Sequence, residues 1–482
     1  MPIRTGLEYI QAINKMNSNI WIAGEKIKGN ISEHPAFKGV IASQAKLYDM
    51  QSEEKNRELM TYPSPSTGNR VGISFLQPKT KEDLEKRRLM IQAWSKSHHG
   101  MLGRSPDYMN TIMMALDASA DLFSEQDDKC CERFKSYFEY CRENDIALTH
   151  SFTQPQVNRS FFSEVMGNEA AVKIIDKNEE GIVVNGARLV ATQGGITDEI
   201  LILPTYSPEY MGDENPSALA FALPNNTKGM KFICRESFDY GKSAFDHPLG
   251  SRFEEMDTMV IFDRVTVPWE RVFIHGKTSL ANKIFGDSCI FPHTAHQVVV
   301  KNIVKTEFLL GIIQLITETI GIEEYQHVQE KVIEVVIALE ALKSFLIASE
   351  KEAKIDKWGT MAPDLNALHA ATCYYPRIYP RIMQIIKDLG ASGLISLPSE
   401  KDFNSINKDD LDQYLQGAQS EAYDRVQLFR LAWDISMSAF GSRQSLYERF
   451  FFGDPVRTAS RFYSFYNKQP YVDRVIQFLT QK

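Results

Sequence analysis

The chain has 482 residues, enough for two or three structural units around a large core. Its hydrophobic fraction of 43% is that of a globular protein, and its formal charge of -8 is modest for this length. That balance excludes a general nucleic-acid binder, which needs a concentrated basic face, and gives no reason to expect an anionic membrane as partner.

Helical spacing opens the chain over residues 5 to 24, with a break near Gly24, and returns over 36 to 54. Pro63, Ser64, Pro65, Ser66, Gly68 and Asn69 form an irregular connection. Asp83 to Ser97, Met109 to Phe123 and Phe134 to Glu143 are again helical. The period changes after His150. Short apolar runs at 171 to 175, 181 to 186, 200 to 203, 217 to 222, 230 to 234 and 258 to 262 alternate with turn residues and predict a compact antiparallel unit. Helices resume with Val298 to Ile322, Val332 to Lys354 and Asn366 to Leu389. Gly390, Gly393 and Pro398 break them, and Asp402 to Asp412 is expected as an exposed loop. Ala422 to Met437 and Ser442 to Phe451 are the last strong helices. The expected units are a helical domain over 1–147, a central β-barrel over 148–278 and a helical bundle over 279–482.

Six cysteines at 130, 131, 141, 234, 289 and 373 match neither a zinc knuckle nor a secreted disulfide framework and read as free thiols. The first ten residues hold no apolar secretory core. The run Phe308 to Ile316 is too short to span a bilayer, so a cytoplasmic protein is expected. His293 and His296 with Cys289 offer metal-like spacing but no nearby carboxylate, and no metal is expected.

Two polar segments stand out in apolar surroundings. In Arg104-Ser105-Pro106-Asp107-Tyr108, Ser105 suits a helix N-cap and Pro106 the first helical position. That leaves Arg104 outside the helix and Tyr108 in its first turn, where both side chains could enter one cleft; a capped helix with a surface arginine is the plainer reading. His98 and His99 precede them and could shape the same cleft. Thr149-His150-Ser151-Phe152-Thr153 runs on to Gln156, Val157, Asn158 and Arg159. His150 can be a structural hydrogen-bonding group or an acid–base catalyst. Ala191-Thr192-Gln193-Gly194-Gly195 follows a strand end and reads as a turn or as a flavin contact, and Arg457 could meet a phosphate or Asp454. A guanidinium, a phenol, an imidazole and amides suit an anionic or phenolic ligand beside a redox cofactor. HExxH, GxSxG and GxGxxG are all absent from the sequence.

Taken in order, Arg104 to Tyr108, Thr149 to Phe152, Asn185-Gly186-Ala187-Arg188 with Ala191-Thr192, Val267 to Phe273 and Tyr447 to Arg457 make the whole chain resemble one family. It is that of the oxygenase components of 4-hydroxyphenylacetate 3-monooxygenase, which are two-component, FADH2-dependent aromatic hydroxylases. The resemblance implies an α+β, acyl-CoA-dehydrogenase-like fold with N-terminal helices, a central β-barrel and a C-terminal bundle. It implies a homotetramer built as a dimer of dimers, a diffusible FAD used as FADH2, and a separate NAD(P)H-dependent flavin reductase. Arg104, Tyr108 and His150 match the catalytic residues around the phenolic substrate, and Thr205 and Tyr206 fall where a loop closes on its carboxylate. His150, Ser151, Phe152, Gln156, Val157, Asn158, Arg159 and Thr192 match flavin contacts. Phe451, Phe452, Gly453 and Asp454 match a further contact from a neighbouring subunit's bundle. The implied reaction ortho-hydroxylates 4-hydroxyphenylacetate to 3,4-dihydroxyphenylacetate with O2 through a flavin C4a-hydroperoxide. Arg104 would stabilise the phenolate, His150 accept a hydrogen bond or the proton, and Tyr108 orient the oxygen.

Rival readings keep the fold and change the chemistry. Another phenol, such as a chlorophenol or a substituted aromatic metabolite, would use the same residues. A 4-hydroxybutyryl-CoA dehydratase needs cluster-binding cysteines, but His98 to Arg104 contains none and position 303 is isoleucine. Acyl-CoA dehydrogenation lacks a nameable glutamate base, and a non-catalytic helical interaction protein would not need the Arg104, Tyr108 and His150 set.

Overall fold

The computed structural model describes residues 3–155, 170–205, 212–239 and 241–481. The first helix, Gly6–Met16, starts at a capping box between Thr5 and Glu8 and stops at Asn17, which takes the left-handed conformation. The expected helix over 5 to 24 is therefore shorter. Its remainder is a hairpin of β1 (Ile20–Ile22) and β2 (Glu25–Lys26). A second hairpin, β3 (Thr61–Pro63) and β4 (Arg70–Gly72), brackets the segment read as an irregular connection. Helices Lys38–Ser52, Lys81–Ser97, Pro106–Ala118 and Asp128–Glu143 complete the N-terminal part.

The sheet region comprises β5 (Leu148–Ser151), β6 (Lys173–Lys177), β7 (Gly181–Thr192), β8 (Glu199–Ile202), β9 (Glu214–Pro224), β10 (Met230–Cys234), β11 (Asp257–Pro268) and β12 (Val272–Lys277). Here the expected barrel is corrected. The strands form two open sheets, in the orders β2-β1-β10-β11-β7-β6 and β12-β9-β8-β5, and among the described residues no sheet closes on itself. The sheets are also mixed rather than purely antiparallel, because β1 pairs with β10 and β5 with β8 in parallel. Among the described residues one isolated bridge, Thr153 to Leu189, ties the edge of the second sheet to β7, and a ladder does not follow from it. Ile182, Val184, Ile202, Phe221, Val260 and Phe262 share one core cluster with the helices, so packing rather than ring closure buries both inner faces.

Three long helices, Ile290–Ile320, Gln326–Lys351 and Leu365–Gly390, form the centre of the C-terminal bundle. The first has 31 residues, about 46 Å. It is buried almost continuously from Pro292 to Thr306, because it packs against the N-terminal helices as well as its bundle neighbours. The 402 to 412 segment, expected as a loop, contains the helical turns Glu400–Phe403 and Lys408–Tyr414. After Ala422–Ser436 and Ala439–Phe450 come two helices not anticipated from spacing, Pro455–Phe465 and Gln469–Thr480. Among the described residues, no helix is long and apolar enough to cross a membrane.

Candidate active site

Arg104 sits in the residue pair before Pro106, and the fold clamps its backbone from both sides. Its N–H donates to Glu255 Oε1 at 2.6 Å, and the Gly103 N–H donates to Oε2 of the same carboxylate at 2.9 Å. Gln44 Nε2 donates to the Arg104 carbonyl at 3.1 Å and to Gln193 Oε1 at 3.0 Å. Ser105 occupies the N-cap position and Pro106 the first helical one, as expected, but the Ser105 side chain makes no capping hydrogen bond. Asp107 turns into the core and accepts from Gln297 Nε2 at 2.8 Å.

The Arg104 guanidinium is held among rings. Its Cζ lies 4.7 Å from the centroid of Tyr108, 5.2 Å from Phe451 and 5.8 Å from Tyr447. Nη1 donates to Tyr447 Oη at 3.3 Å, and Nε has no partner among the described residues. Burial works against its charge, but Tyr447, Tyr108 and Glu255 outweigh burial and hold its pKa above the ordinary value. Burial raises the pKa of both phenols, Tyr108 and Tyr447, against the opposing pull of Arg104, so both remain protonated donors.

His150 reaches the cluster from β5, a strand buried at all four positions and paired in parallel with β8, where His150 stands opposite Leu201. Its ring centroid is 5.9 Å from Tyr108 and 5.5 Å from Phe152. Nδ1 is buried without a partner among the described residues. Burial first, and Arg104 second, push its pKa well below the usual imidazole value. It is thus a neutral acceptor beside a cation and two neutral phenols, a set able to bind a phenol and polarise its hydroxyl.

Thr192 ends β7 and donates to Asp257 at 2.8 Å, while Thr149 donates to the Thr192 carbonyl at 2.5 Å. Ser151 donates to the Leu189 carbonyl at 2.6 Å. Val190 has φ 58 and is 54% exposed, a strained conformation for a β-branched residue. It accompanies a bulge that sets two residues of β7 opposite Met259 and redirects the side chains that follow. Arg443 joins this strand end to the Arg104 loop. It grips Asp257 through Nε at 2.9 Å and Nη2 at 2.8 Å, and Glu255 through Nη1 at 3.2 Å. Burial opposes ionisation of Asp257, but Arg443 and Arg235 hold its carboxyl well below the usual range.

Phe451 packs edge-on against Tyr108 of its own chain at 5.3 Å. Phe452 turns toward Phe291, and Asp454 caps the Pro455–Phe465 helix by accepting from the Val456 and Arg457 backbone N–H groups. Thr205 donates to the Phe152 carbonyl and accepts from Arg188. Gln156, Val157, Asn158, Arg159 and Tyr206 lie outside the described residues.

Other candidates disperse. His98 accepts from the Leu102 N–H, and His99 stacks on Phe308 at 4.3 Å. His293 meets Thr360, His296 meets Glu350 and Cys289 donates to the Ala115 carbonyl. Sequence reasoning missed Tyr447, Glu255, Gln44, Gln193 and Arg443 as site-building residues. The four-residue spacing of Tyr447 and Phe451 was a usable signal of a shared helix face. Nothing local tied Glu255 to a loop 150 residues earlier.

Comparison with known proteins gives a consistent result. Residues 5–274 match the model for the 4-hydroxyphenylacetate 3-hydroxylase N terminal region, and residues 281–480 match that for its C terminal region. The 4-hydroxyphenylacetate 3-monooxygenase oxygenase component of Geobacillus sp. (strain PA-9) is 50% identical over 481 residues, covering 99% of this chain and 97% of that protein. The crystal structure of an oxygenase component (HpaB) of 4-hydroxyphenylacetate 3-monooxygenase, complexed with FAD and 4-hydroxyphenylacetate, superposes with a TM-score of 0.92 at 47% identity, over 99% of this chain and 98% of that one. A 4-hydroxybutyryl-CoA dehydratase from N. maritimus shares the fold, with a TM-score of 0.87 at 21% identity over 100% of this chain and 96% of its own.

Proposed function

The chain belongs to the 4-hydroxyphenylacetate 3-hydroxylase family, and from that membership we propose that it is the FADH2-using oxygenase that converts 4-hydroxyphenylacetate and O2 to 3,4-dihydroxyphenylacetate. The observation that carries the reading is the Arg104 guanidinium seated 4.7 Å over Tyr108, beside a His150 that burial keeps neutral.

The residues present fit a flavin. Phe152 offers a ring that is 42% exposed, and the buried Nδ1 of His150 and Nε of Arg104 remain without partners among the described residues. Thr192, with its hydroxyl hydrogen committed to Asp257, keeps oxygen lone pairs free to accept. We assign flavin contacts to His150, Ser151, Phe152, Thr192, Phe451, Phe452, Gly453 and Asp454, with Gln156, Val157, Asn158 and Arg159 added from the family resemblance. Bound FAD, in reduced form, supplies the activation of dioxygen.

The chain's own groups do the rest. Arg104 faces the phenolic oxygen and stabilises it as its proton leaves, which raises electron density at the ortho carbon. His150, neutral at working pH, accepts that proton. Tyr108 stays protonated and orients the oxygen as a donor, while Tyr447, whose hydroxyl donates to the Gly103 carbonyl, holds the Arg104 guanidinium. Thr205 and Tyr206 stand for the carboxylate end of the substrate. Tyr108 and His150 are buried and Arg104 is half-buried between them and the Tyr447 ring, which limits the access of bulk water to the reacting atoms.

A separate NAD(P)H-dependent reductase supplies the FADH2, and the protein works in the cytoplasm as a homotetramer, a dimer of dimers. Support for assembly comes from the Gln469–Thr480 helix, which has no buried residue and exposes Phe478 at 76% and Leu479 at 74%. The test mixes the protein with pre-reduced FAD, O2 and 4-hydroxyphenylacetate and follows catechol and hydrogen peroxide. Near-stoichiometric catechol is expected. Peroxide without catechol from this acid, but catechol from another phenol, would reassign the substrate.

A further inference from the structure

Arg188, on β7, is fully buried. Its Nη1 donates to Thr205 Oγ1 at 2.9 Å and lies 3.5 Å from the Phe152 carbonyl oxygen, and both acceptors are neutral. Its Nε and Nη2 are buried and have no hydrogen-bond partner among the described residues. Outside the Arg104 site, other buried cations are treated differently. Arg443 spans Asp257 and Glu255, and Lys301 and Lys305 share Glu448. Arg87 faces no salt-bridged acid, but its Nη1 donates to three carbonyls and its Nη2 to the Thr111 hydroxyl. A buried guanidinium with neither a counter-charge nor a full set of acceptors is costly to keep. Burial alone lowers its pKa to about 10, which leaves it charged at neutral pH.

Its surroundings say which anion would complete it. Phe152 lies two residues beyond His150, with the two rings 5.5 Å apart. Thr205 follows β8, the strand paired with the one that carries His150. Arg188 therefore sits where the strand ends leave the phenol-binding cluster, and a para-substituted phenol held at Arg104 and His150 extends its substituent away from them. We propose that Arg188 is the receptor for the substrate's carboxylate and so sets the preference for phenolic acids over neutral phenols. This rests on the phenol-hydroxylase reading above.

The experiment titrates FADH2-loaded protein anaerobically with 4-hydroxyphenylacetate and with neutral 4-hydroxyphenylacetamide, for the parent, Arg188→Gln and Arg188→Lys. The parent is expected to bind the acid more tightly than the amide. Arg188→Gln should weaken the acid about 30-fold or more and leave the amide within about threefold, because one partner of a desolvated charge pair has been removed. Arg188→Lys, which keeps the charge without the planar fork, should fall between them. An unchanged preference for the acid in Arg188→Gln overturns the proposal, as does equal weakening of acid and amide, which is a purely structural effect. A parallel titration with FAD and riboflavin adds a third test: a selective loss of FAD affinity would make the flavin phosphates the anion instead. If Arg188→Gln fails to fold, Arg188→Lys decides, and parent-like affinities for both ligands with that variant count against the proposal. A parent that binds neither phenol refutes the functional reading itself, and this proposal falls with it.

Discussion

Replacing Arg104 by methionine removes the site's charge while keeping an apolar side chain of similar length. The guanidinium makes two hydrogen bonds, to the Gly103 carbonyl at 3.2 Å and to Tyr447 at 3.3 Å, and three ring contacts between 4.7 and 5.8 Å. The backbone bonds to Glu255 and Gln44 do not involve the side chain and survive. Each cation–ring contact contributes about 0.5 to 2 kcal/mol, but losing them is offset because a buried cation without a salt-bridged carboxylate is also removed. The melting temperature should therefore move by no more than a few degrees. Catalysis should suffer more, since removing one preorganised donor to developing negative charge costs about 3 to 4 kcal/mol, or about 100- to 1000-fold in kcat. A second signature follows from the electrostatics. Burial and Arg104 together depress His150, so losing Arg104 raises its pKa, and the acid limb of the kcat profile moves to higher pH. The assay measures catechol and hydrogen peroxide from pre-reduced FAD between pH 5 and 9, with melting curves alongside. A variant within threefold of the parent in kcat, with an unshifted acid limb, would refute the assignment of Arg104 to the phenolate.

Gly103→Ala places a methyl group 2.3 Å from Tyr447 Oη, so Tyr447 must swing off Arg104; kcat should fall about tenfold or more, and a crystal structure with Tyr447 unmoved would contradict this. Lys301 and Lys305 share the single carboxylate of Glu448, and burial depresses Lys305 to about 8. An unfolded lysine keeps its proton to higher pH, so stability should rise from about pH 8 to 10.5 in the parent, and Lys305→Met should lose that rise while matching or exceeding parent stability at pH 7.5. Denaturant midpoints at pH 7.5 and 9.5 check both parts. His98 is depressed to about 3, by burial first and then by Lys301 and Lys305. Its contribution is complete above about pH 6.5 and is lost as pH falls toward 3, amounting to about 2 kcal/mol between pH 7.5 and 5. His98→Asn, which can still accept from the Leu102 N–H, should flatten that part of the pH dependence, and an unchanged slope between pH 7.5 and 5 would exclude His98 as its source.

The order of helices, strands and helices was legible because amphipathic spacing and turn residues are local, as with the Thr80 capping box that starts Lys81–Ser97 and the apolar run 258 to 262 within β11. Arg104, Tyr108 and His150 were legible as a set, through a proline-started helix and a polar run, and the fold brings them into one cluster. The closed barrel was not, since closure depends on whether edge strands meet. A two-residue β2 and a single Thr153–Leu189 bridge are long-range outcomes that no strand announces. The helices Pro455–Phe465 and Gln469–Thr480 were missed although each has a proline in its first turn and carries its apolar residues on one face, so a local signal was present there.

Residue types and their spacing determined by themselves which groups were available: one arginine before a helix, one histidine on a buried strand, a phenol one turn on. Only the tertiary structure decided their state. His150 is neutral because the surrounding core and Arg104 disfavour its charge, and Arg104 is charged because Tyr447, Tyr108 and Glu255 outweigh its burial, while Glu255 and Gln44 hold its backbone from elements far away in the chain. Desolvation and long-range hydrogen bonding are properties of packed surroundings, which a linear order of residues does not contain.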